Sequence, residues 1–301
     1  MRRRFQTEWP TWVILMLCWS GWIGILLSAD TLGALASTAL LALCLGLYSS
    51  LQHEILHGHP TASEPVNTLI ALPPLGVFIP YPRFKDLHLA HHRNDALTDP
   101  YDDPESYYVH PEDWARFPGL WQVILQINNT LVGRILIGPA LGLCGFWQAE
   151  FQRMRRGDRA VLRAWGLQFL LLVPLGAFVW LVSALPIIAY LVAAYAGMSI
   201  IHVRTFVEHR AHPEAAARTV IIEDRGLFAL LFLNNNFHAV HHVRPSLPWY
   251  EIPAFYARHR DRILARNRGY RYRSYADVFR LYAFRPKEPV PHPLVGQDSR
   301  Q

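Results

Sequence analysis

Four stretches of the chain carry no charged residue: Thr11 to Ala29, Leu32 to Gln52, Trp165 to Val182 and Leu185 to Ile201. Each approaches the ~20 residues that an α-helix needs to cross a bilayer. The pattern therefore predicts four transmembrane helices at about 11–29, 32–52, 165–182 and 185–201. Met-Arg-Arg-Arg precedes the first, as in a secretory leader, but the apolar stretch is too long and no small-residue cleavage site is clearly placed after it; an anchor is expected. Two further apolar stretches are interrupted. Residues 65–82 contain Pro73, Pro74 and Pro80, which forbid a regular span and point to an interfacial segment or a short re-entrant turn. Residues 119–148 contain Asn128, Asn129 and Arg134, and a charge at mid-bilayer is costly, so an interfacial helix pair is expected there.

Orientation follows from the arginines, because positive charge near span ends is retained in the cytoplasm. Arg2, Arg3 and Arg4 put the N-terminus inside, and two crossings return the chain to that side at His53. The linker Arg153-Met-Arg155-Arg156-Gly-Asp-Arg159 is again basic and inside. The last pair of spans ends at His202, also inside, and a basic cytoplasmic tail fills about 245–301. The expected fold is all-α. It is a single integral membrane domain over 1–301, with four transmembrane helices and a cytoplasmic helical cap carrying a histidine-rich di-metal site.

Composition agrees. The chain is 51% hydrophobic and 17% charged, against the roughly 25% charged of soluble domains. Its net charge of +6 does not indicate nucleic acid, because no basic helix is interleaved with aromatics on a soluble domain. The excess sits largely in Arg258, Arg260, Arg262, Arg266, Arg268, Arg271 and Arg273. That flank suits anionic lipid head groups, with an acidic electron-carrier protein as the sharper alternative. Cys18, Cys44 and Cys144 form no CxxC, so neither a zinc site nor an iron–sulfur cluster can be built on them; they are expected to be packing residues.

The chemistry lies in three histidine clusters: His53-Glu-Ile-Leu-His57, His88-Leu-Ala-His91-His92 and His238-Ala-Val-His241-His242. Residues three and four apart share a helical face, so each cluster turns two or three imidazoles toward one point. A further element, His202-Val-Arg-Thr-Phe-Val-Glu208-His209, follows the last span. With His209 the candidate ligands number nine; His202 is a ligand, a hydrogen-bond partner of one, or a helix-end residue. His59, His110, His259 and His292 read as ordinary packing histidines, and His212 as a loop residue. Catalytic zinc needs three protein ligands and structural zinc four, so nine imidazoles imply two metals of higher coordination number. Imidazole suits iron, copper, nickel and zinc alike. A site at the bilayer surface meets lipid chains, whose unactivated methylenes yield to little except an oxygen-derived iron oxidant.

Ligating imidazoles usually donate their other N–H to a carboxylate or carbonyl. Glu208, Asp103 and Asn235 are the expected partners, drawn from a wider set of Glu54, Asp95, Asp99, Asp102, Glu105, Asn234 and Asn236. Turn and helix-cap chemistry accounts equally well for Asp102-Asp103-Pro104-Glu105.

The ordered pattern HxxxH, HxxHH, HxxHH, with a further histidine after the fourth span, resembles the membrane fatty-acid desaturase superfamily. The resemblance covers His53 to His242. It implies a non-haem di-iron centre that uses O₂ and two externally supplied electrons to take hydrogens from an acyl chain. The ligands it implies are His53, His57, His88, His91, His92, His209, His238, His241 and His242. Some members carry an Asn four residues before the histidine matching His209; here that position is Thr205. The chain has neither the His-Pro-Gly-Gly motif of a fused cytochrome b5 domain nor a GxGxxG, so a separate ferredoxin or cytochrome is the expected donor. The bacterial inner membrane is the expected location if the source is bacterial.

An acyl-lipid or fatty-acid desaturase is thus the leading reading. Hydroxylation or ketolation of a lipid, alkane or carotenoid on the same scaffold is the alternative. A metal transporter or haem electron-transfer subunit would place histidines inside the spans, whereas these lie at or beyond the ends.

Overall fold

A computed structural model describes residues 8–93 and 96–295; Arg2, Arg3, Arg4 and Asp95, named above, lie outside the described residues. The helices in chain order are α1 (Trp9–Leu27), α2 (Ala29–Leu32), α3 (Ala34–Leu56), α4 (Glu64–Ala71), α5 (Tyr81–Arg93), α6 (Pro111–Arg116) and α7 (Gly119–Asn128). They continue with α8 (Leu131–Arg155), α9 (Arg159–Val182), α10 (Ile187–Thr205), α11 (Leu227–Leu231), α12 (His238–Val243), α13 (Ile252–Arg266) and α14 (Tyr275–Tyr282). Two short strands, β1 (Ile221–Ile222) and β2 (Arg271–Tyr272), pair in parallel; the described chain is otherwise helices and the turns and loops that join them.

Five described helices, α1, α3, α8, α9 and α10, are long and apolar enough to cross a membrane. Four overlap the expected spans. The fifth, α8, lies in the stretch expected to hold an interfacial pair. Arg134 argued against a crossing there, yet residues 135–149 beyond it carry no charge, and the apolar run simply begins one turn into the helix.

The chain divides into two compact units. The first takes Met1–Lys85, Pro139–Ile201 and Leu231–Leu233. Within it α3 and α10 approach closely: a Cβ on Gly197 would lie 3.2 Å from the Ala42 carbonyl oxygen. Small residues at such a crossing let two backbones meet where lipid supplies no hydrophobic drive. On α9, Phe169, Leu170, Val173, Trp180 and Leu181 are exposed, a stripe suited to acyl chains rather than water.

Prolines keep residues 72–80 out of regular structure, so their carbonyls need partners from elsewhere. Side chains from the long helices supply them. The Tyr48 hydroxyl reaches the Ala71 and Pro73 carbonyls at 3.0 and 2.7 Å, and Gln52 also donates to Ala71. Tyr190 donates to Leu75, Gln168 to Val77 and Trp147 to Phe78, at 2.7 to 3.1 Å. Trp22 in turn donates to the Tyr190 hydroxyl at 3.0 Å. Cys18 and Cys44, expected to be packing residues, lie 3.8 Å from each other, both as free thiols.

One charged pair is locked inside this unit. Arg83 Nε and Nη2 donate to the two Glu150 oxygens at 2.8 and 2.9 Å, and Trp165 Nε1 donates to the same carboxylate. Both charged side chains are 2% exposed.

The second unit takes Asp86–Gly138, His202–Leu230 and Asn234–Gln301. Its core joins Ile221, Phe237, Val240, Ile252, Tyr256 and Ile263. A Cβ on Gly133 would stand 1.8 Å from the Ile127 carbonyl oxygen, so only glycine permits the tight passage from α7 into α8.

Removing one partner of a buried pair costs about 3–5 kcal/mol, because the other charge is stranded. Glu150→Gln should therefore lower the thermal midpoint in mild detergent by several degrees. The double replacement R83M/E150L should recover most of the loss; equal midpoints for wild type and Glu150→Gln would show that the pair does not hold this unit together.

Candidate metal centre

Three local structures of the second unit present histidines. On α5 the spacing i, i+3, i+4 aligns His88, His91 and His92, and the single turn and a half of α12 does the same for His238, His241 and His242. His209 lies beyond the end of α10, where it pairs in antiparallel fashion with Thr219. The adjacent bonds from Val220 N to Glu208 O and from Arg210 N to Arg218 O hold it, and Ala239 N donates to Val220 O, tying α12 to the same turn.

The imidazoles fall into two sets. His91, His209, His238 and His242 offer nitrogens that all lie within 4.8 Å of one another, and His88, His92 and His241 likewise. His53 and His57 stand at the end of α3 in the first unit, with ring centroids 5.0 Å apart. His202 belongs to neither set and lies near Tyr107, at 6.4 Å between rings.

Carboxylates and an amide decide which nitrogen of each ring is free. Glu105 sits 2.7 Å from His88 Nδ1, and Asp103 sits 2.7 Å from His91 Nδ1. Asn235 Oδ1 and Glu208 Oε1 are both 3.3 Å from His238 Nδ1, and Glu208 is itself ion-paired with Arg204 at 2.9 Å. An acceptor at Nδ1 fixes the proton there and leaves the Nε2 lone pair bare. Those Nε2 atoms then converge. His92 Nε2 stands 3.0 Å from His88 Nε2 and 2.9 Å from His241 Nε2; His238 Nε2 stands 3.1 Å from His209 Nε2 and 3.0 Å from His242 Nε2. One ring proton cannot satisfy two such neighbours. His91 Nε2 is buried with no hydrogen-bond partner. A cation at the point of convergence resolves all of these contacts.

Two nitrogens about 2.1 Å from one ion are about 3.0 Å apart at a right angle and about 3.4 Å apart at the tetrahedral angle. The observed 2.9–3.1 Å is short enough for these nitrogens to share one ion.

The local charges hold most of these rings neutral and His91 in its protonated form. Burial and the His88 and His91 imidazoles push His92 down to about 3. Burial and neighbouring rings hold His209, His238 and His242 well below the ordinary imidazole range, so they stay neutral. His91 behaves oppositely: burial pulls it down, but Glu105 and Asp103 outweigh that and raise it to about 9. Burial lifts the Glu208 carboxyl to about 7, against the pull of Arg204.

The acidic stretch after α5 divides its labour. Asp99 Oδ1 accepts from Tyr101 N and Asp102 N, which is turn chemistry. Asp103 serves both purposes, because its carboxylate also accepts from Thr98 N and Glu105 N. Glu105, which the sequence placed in the wider set of carboxylates and not among the three expected partners, holds His88. Among the three amides Asn235 reaches a histidine, whereas Asn234 bonds to the Trp249 carbonyl and Asn236 to those of Ile222 and Asp224. The Thr205 hydroxyl accepts from Tyr107 at 3.1 Å.

The family model described as fatty acid desaturase matches residues 29–275, a span that includes every histidine of both sets and the His53–His57 pair. The chain belongs to the fatty acid desaturase family. No curated protein matches it in sequence. For a member of this family, the convergent imidazoles and their carboxylate supports form a donor set that fits a pair of metal ions.

His91→Ala and His241→Ala should each abolish iron loading, measured as iron per chain after purification in mild detergent. Asp103→Asn removes the carboxylate behind His91 while leaving an amide oxygen to accept from the turn, and should weaken metal affinity by about 10- to 100-fold. Full iron content in both histidine variants would remove these residues from the ligand set.

Proposed function

We propose that this chain is a multi-pass membrane oxidoreductase that introduces a C=C bond into the acyl chain of a fatty acid or acyl lipid, using O₂, two non-haem irons and electrons from a separate protein. The observation that carries this reading is the paired imidazole sets, with Nδ1 protons fixed by Glu105, Asp103 and Asn235, in a member of the fatty acid desaturase family. All nine histidines of the sequence pattern are proposed as ligands; His53 and His57 enter on their spacing and on the family resemblance. Two bound irons would supply the activation of O₂, and each turnover would balance with two substrate hydrogens, two electrons and two protons leaving as two waters.

The chain's own residues have three tasks in this scheme. The imidazoles hold the irons through Nε2. Asp103, Glu105, Asn235 and Glu208 orient the rings and keep their protons on Nδ1. Burial of His91, His238 and His241 excludes bulk water, which protects reactive species from side reactions. The arginines at 153, 155, 156 and 159 support placing the histidine clusters on the cytoplasmic side.

Expression in a host with simple lipids, followed by mass spectrometry of total lipids and fatty acids, tests the reading. Loss of two hydrogens from an acyl species, absent in cells carrying His91→Ala, is the expected result. Gain of one oxygen would make the enzyme a hydroxylase. An unchanged lipid profile from iron-loaded wild type supplied with reduced donor would overturn the proposal.

A further inference from the structure

A cavity of about 190 Å³ in the second unit is lined by His91, His92 and His242 and, around them, by Leu97, Ile263 and Arg266. His92 belongs to one imidazole set and His242 to the other, and their rings stack with centroids 4.4 Å apart at 28°. One cavity thus reaches the outer edges of both sets.

Its rim continues into exposed positive charge on α13. Arg262 and Arg266 stand one turn apart beyond the bend at His259, and Arg258 stands just before it; all three are exposed. None of the three has an ion-pair partner among the described residues, whereas Arg260 pairs with Glu223 and Arg268 with Glu214. The acid on this helix, Asp261, lies against Arg260 at 3.8 Å. Like charges one turn apart cost helix stability, so the fold gains nothing from Arg258, Arg262 and Arg266 as a group.

We propose that Arg258, Arg262 and Arg266, together with the cavity reaching His92 and His242, form the docking site of an acidic electron-carrier protein. The inference rests on the oxygenase reading above, which requires two electrons per turnover. Complementary charge steers and orients such a partner. The stacked His92–His242 pair then gives it one entry shared by both imidazole sets.

The test uses the full-length, iron-loaded protein in nonionic detergent, with a plant-type [2Fe–2S] ferredoxin and a soluble cytochrome b5 domain as acidic probes. Wild type should bind at least one of them, with a Kd that rises steeply with salt. Arg262→Glu and Arg266→Glu should each weaken binding about tenfold, while Arg285→Glu, an exposed charge reversal away from α13, should stay within about twofold. Anaerobic reduction by the pre-reduced probe should slow in the same two variants, and reduction by dithionite should not. Wild type that binds neither probe, or variants that bind as wild type does, would overturn the proposal. It would equally fall if the variants lost only their attachment to phosphatidylglycerol vesicles, which would make the arginines a lipid-facing surface. Failure of the oxygenase reading shows separately, as an unchanged lipid profile from wild type.

Discussion

A neutral imidazole has one proton for two nitrogens, and the histidine-rich site of this protein is organised by that constraint. Wherever an acceptor claims the Nδ1 proton, the Nε2 lone pair has no donor of its own to offer. Glu105, Asp103 and Asn235 make that claim on three rings drawn from two helices. The consequence is a set of bare lone pairs at about 3 Å from further imidazole nitrogens, in a largely buried region. Such an arrangement is poor packing in the absence of a cation and good coordination in its presence. A metal bound there would couple its own affinity to the ordering of α5, α12 and the turn at His209, as in other sites whose ligands come from separate elements.

The same accounting of donors and acceptors governs the first unit, with carbonyls in place of imidazoles. Pro73, Pro74 and Pro80 deny residues 72–80 the ladder of a helix, and an apolar setting denies them water. Tyr48, Gln52, Tyr190, Gln168 and Trp147 lend polar atoms from otherwise apolar helices. These residues look out of place on a hydropathy plot. Their polarity is explained by the irregular segment that they satisfy, and the Arg83–Glu150 pair, with Trp165 as its third member, obeys the same rule for charge.

Legibility from sequence followed the range of each interaction. The histidine clusters were readable because i, i+3 and i+4 are helical neighbours, and four of the long apolar helices because uncharged runs need no tertiary knowledge. Asp103 and Asn235 were legible as partners through their nearness to the clusters. Glu105 was not separable from Asp99 and Asp102, because the three share one short acidic stretch and only the fold decides which carboxylate meets a ring. The Cys18–Cys44 approach, the Arg83–Glu150 pair and the side chains serving residues 72–80 join positions 19 to 115 apart in sequence, and no local spacing announces them. The helix pair expected over 119–148 is present as α7 and α8, but the length of α8 was obscured for a different reason: a single arginine in its first turn masked the uncharged run behind it.

Spacing at the metal site separates what the ligands determine from what they leave open. Nitrogens at 2.9–3.1 Å are close enough to be neighbours around a six-coordinate ion, and such an ion keeps positions for exogenous ligands after several imidazoles have bound. On the reading proposed above, that property suits desaturation and hydroxylation alike and does not choose the product. The product depends on which second event follows removal of the first hydrogen: loss of a hydrogen from the adjacent carbon, or delivery of oxygen to the same one. Those outcomes differ by the placement of one carbon relative to the centre, on a scale well below the spacing between imidazoles. Specificity of outcome must therefore reside in the residues that hold the acyl chain, while the histidines, with Asp103, Glu105 and Asn235 behind them, set only the class of chemistry that the held carbon meets.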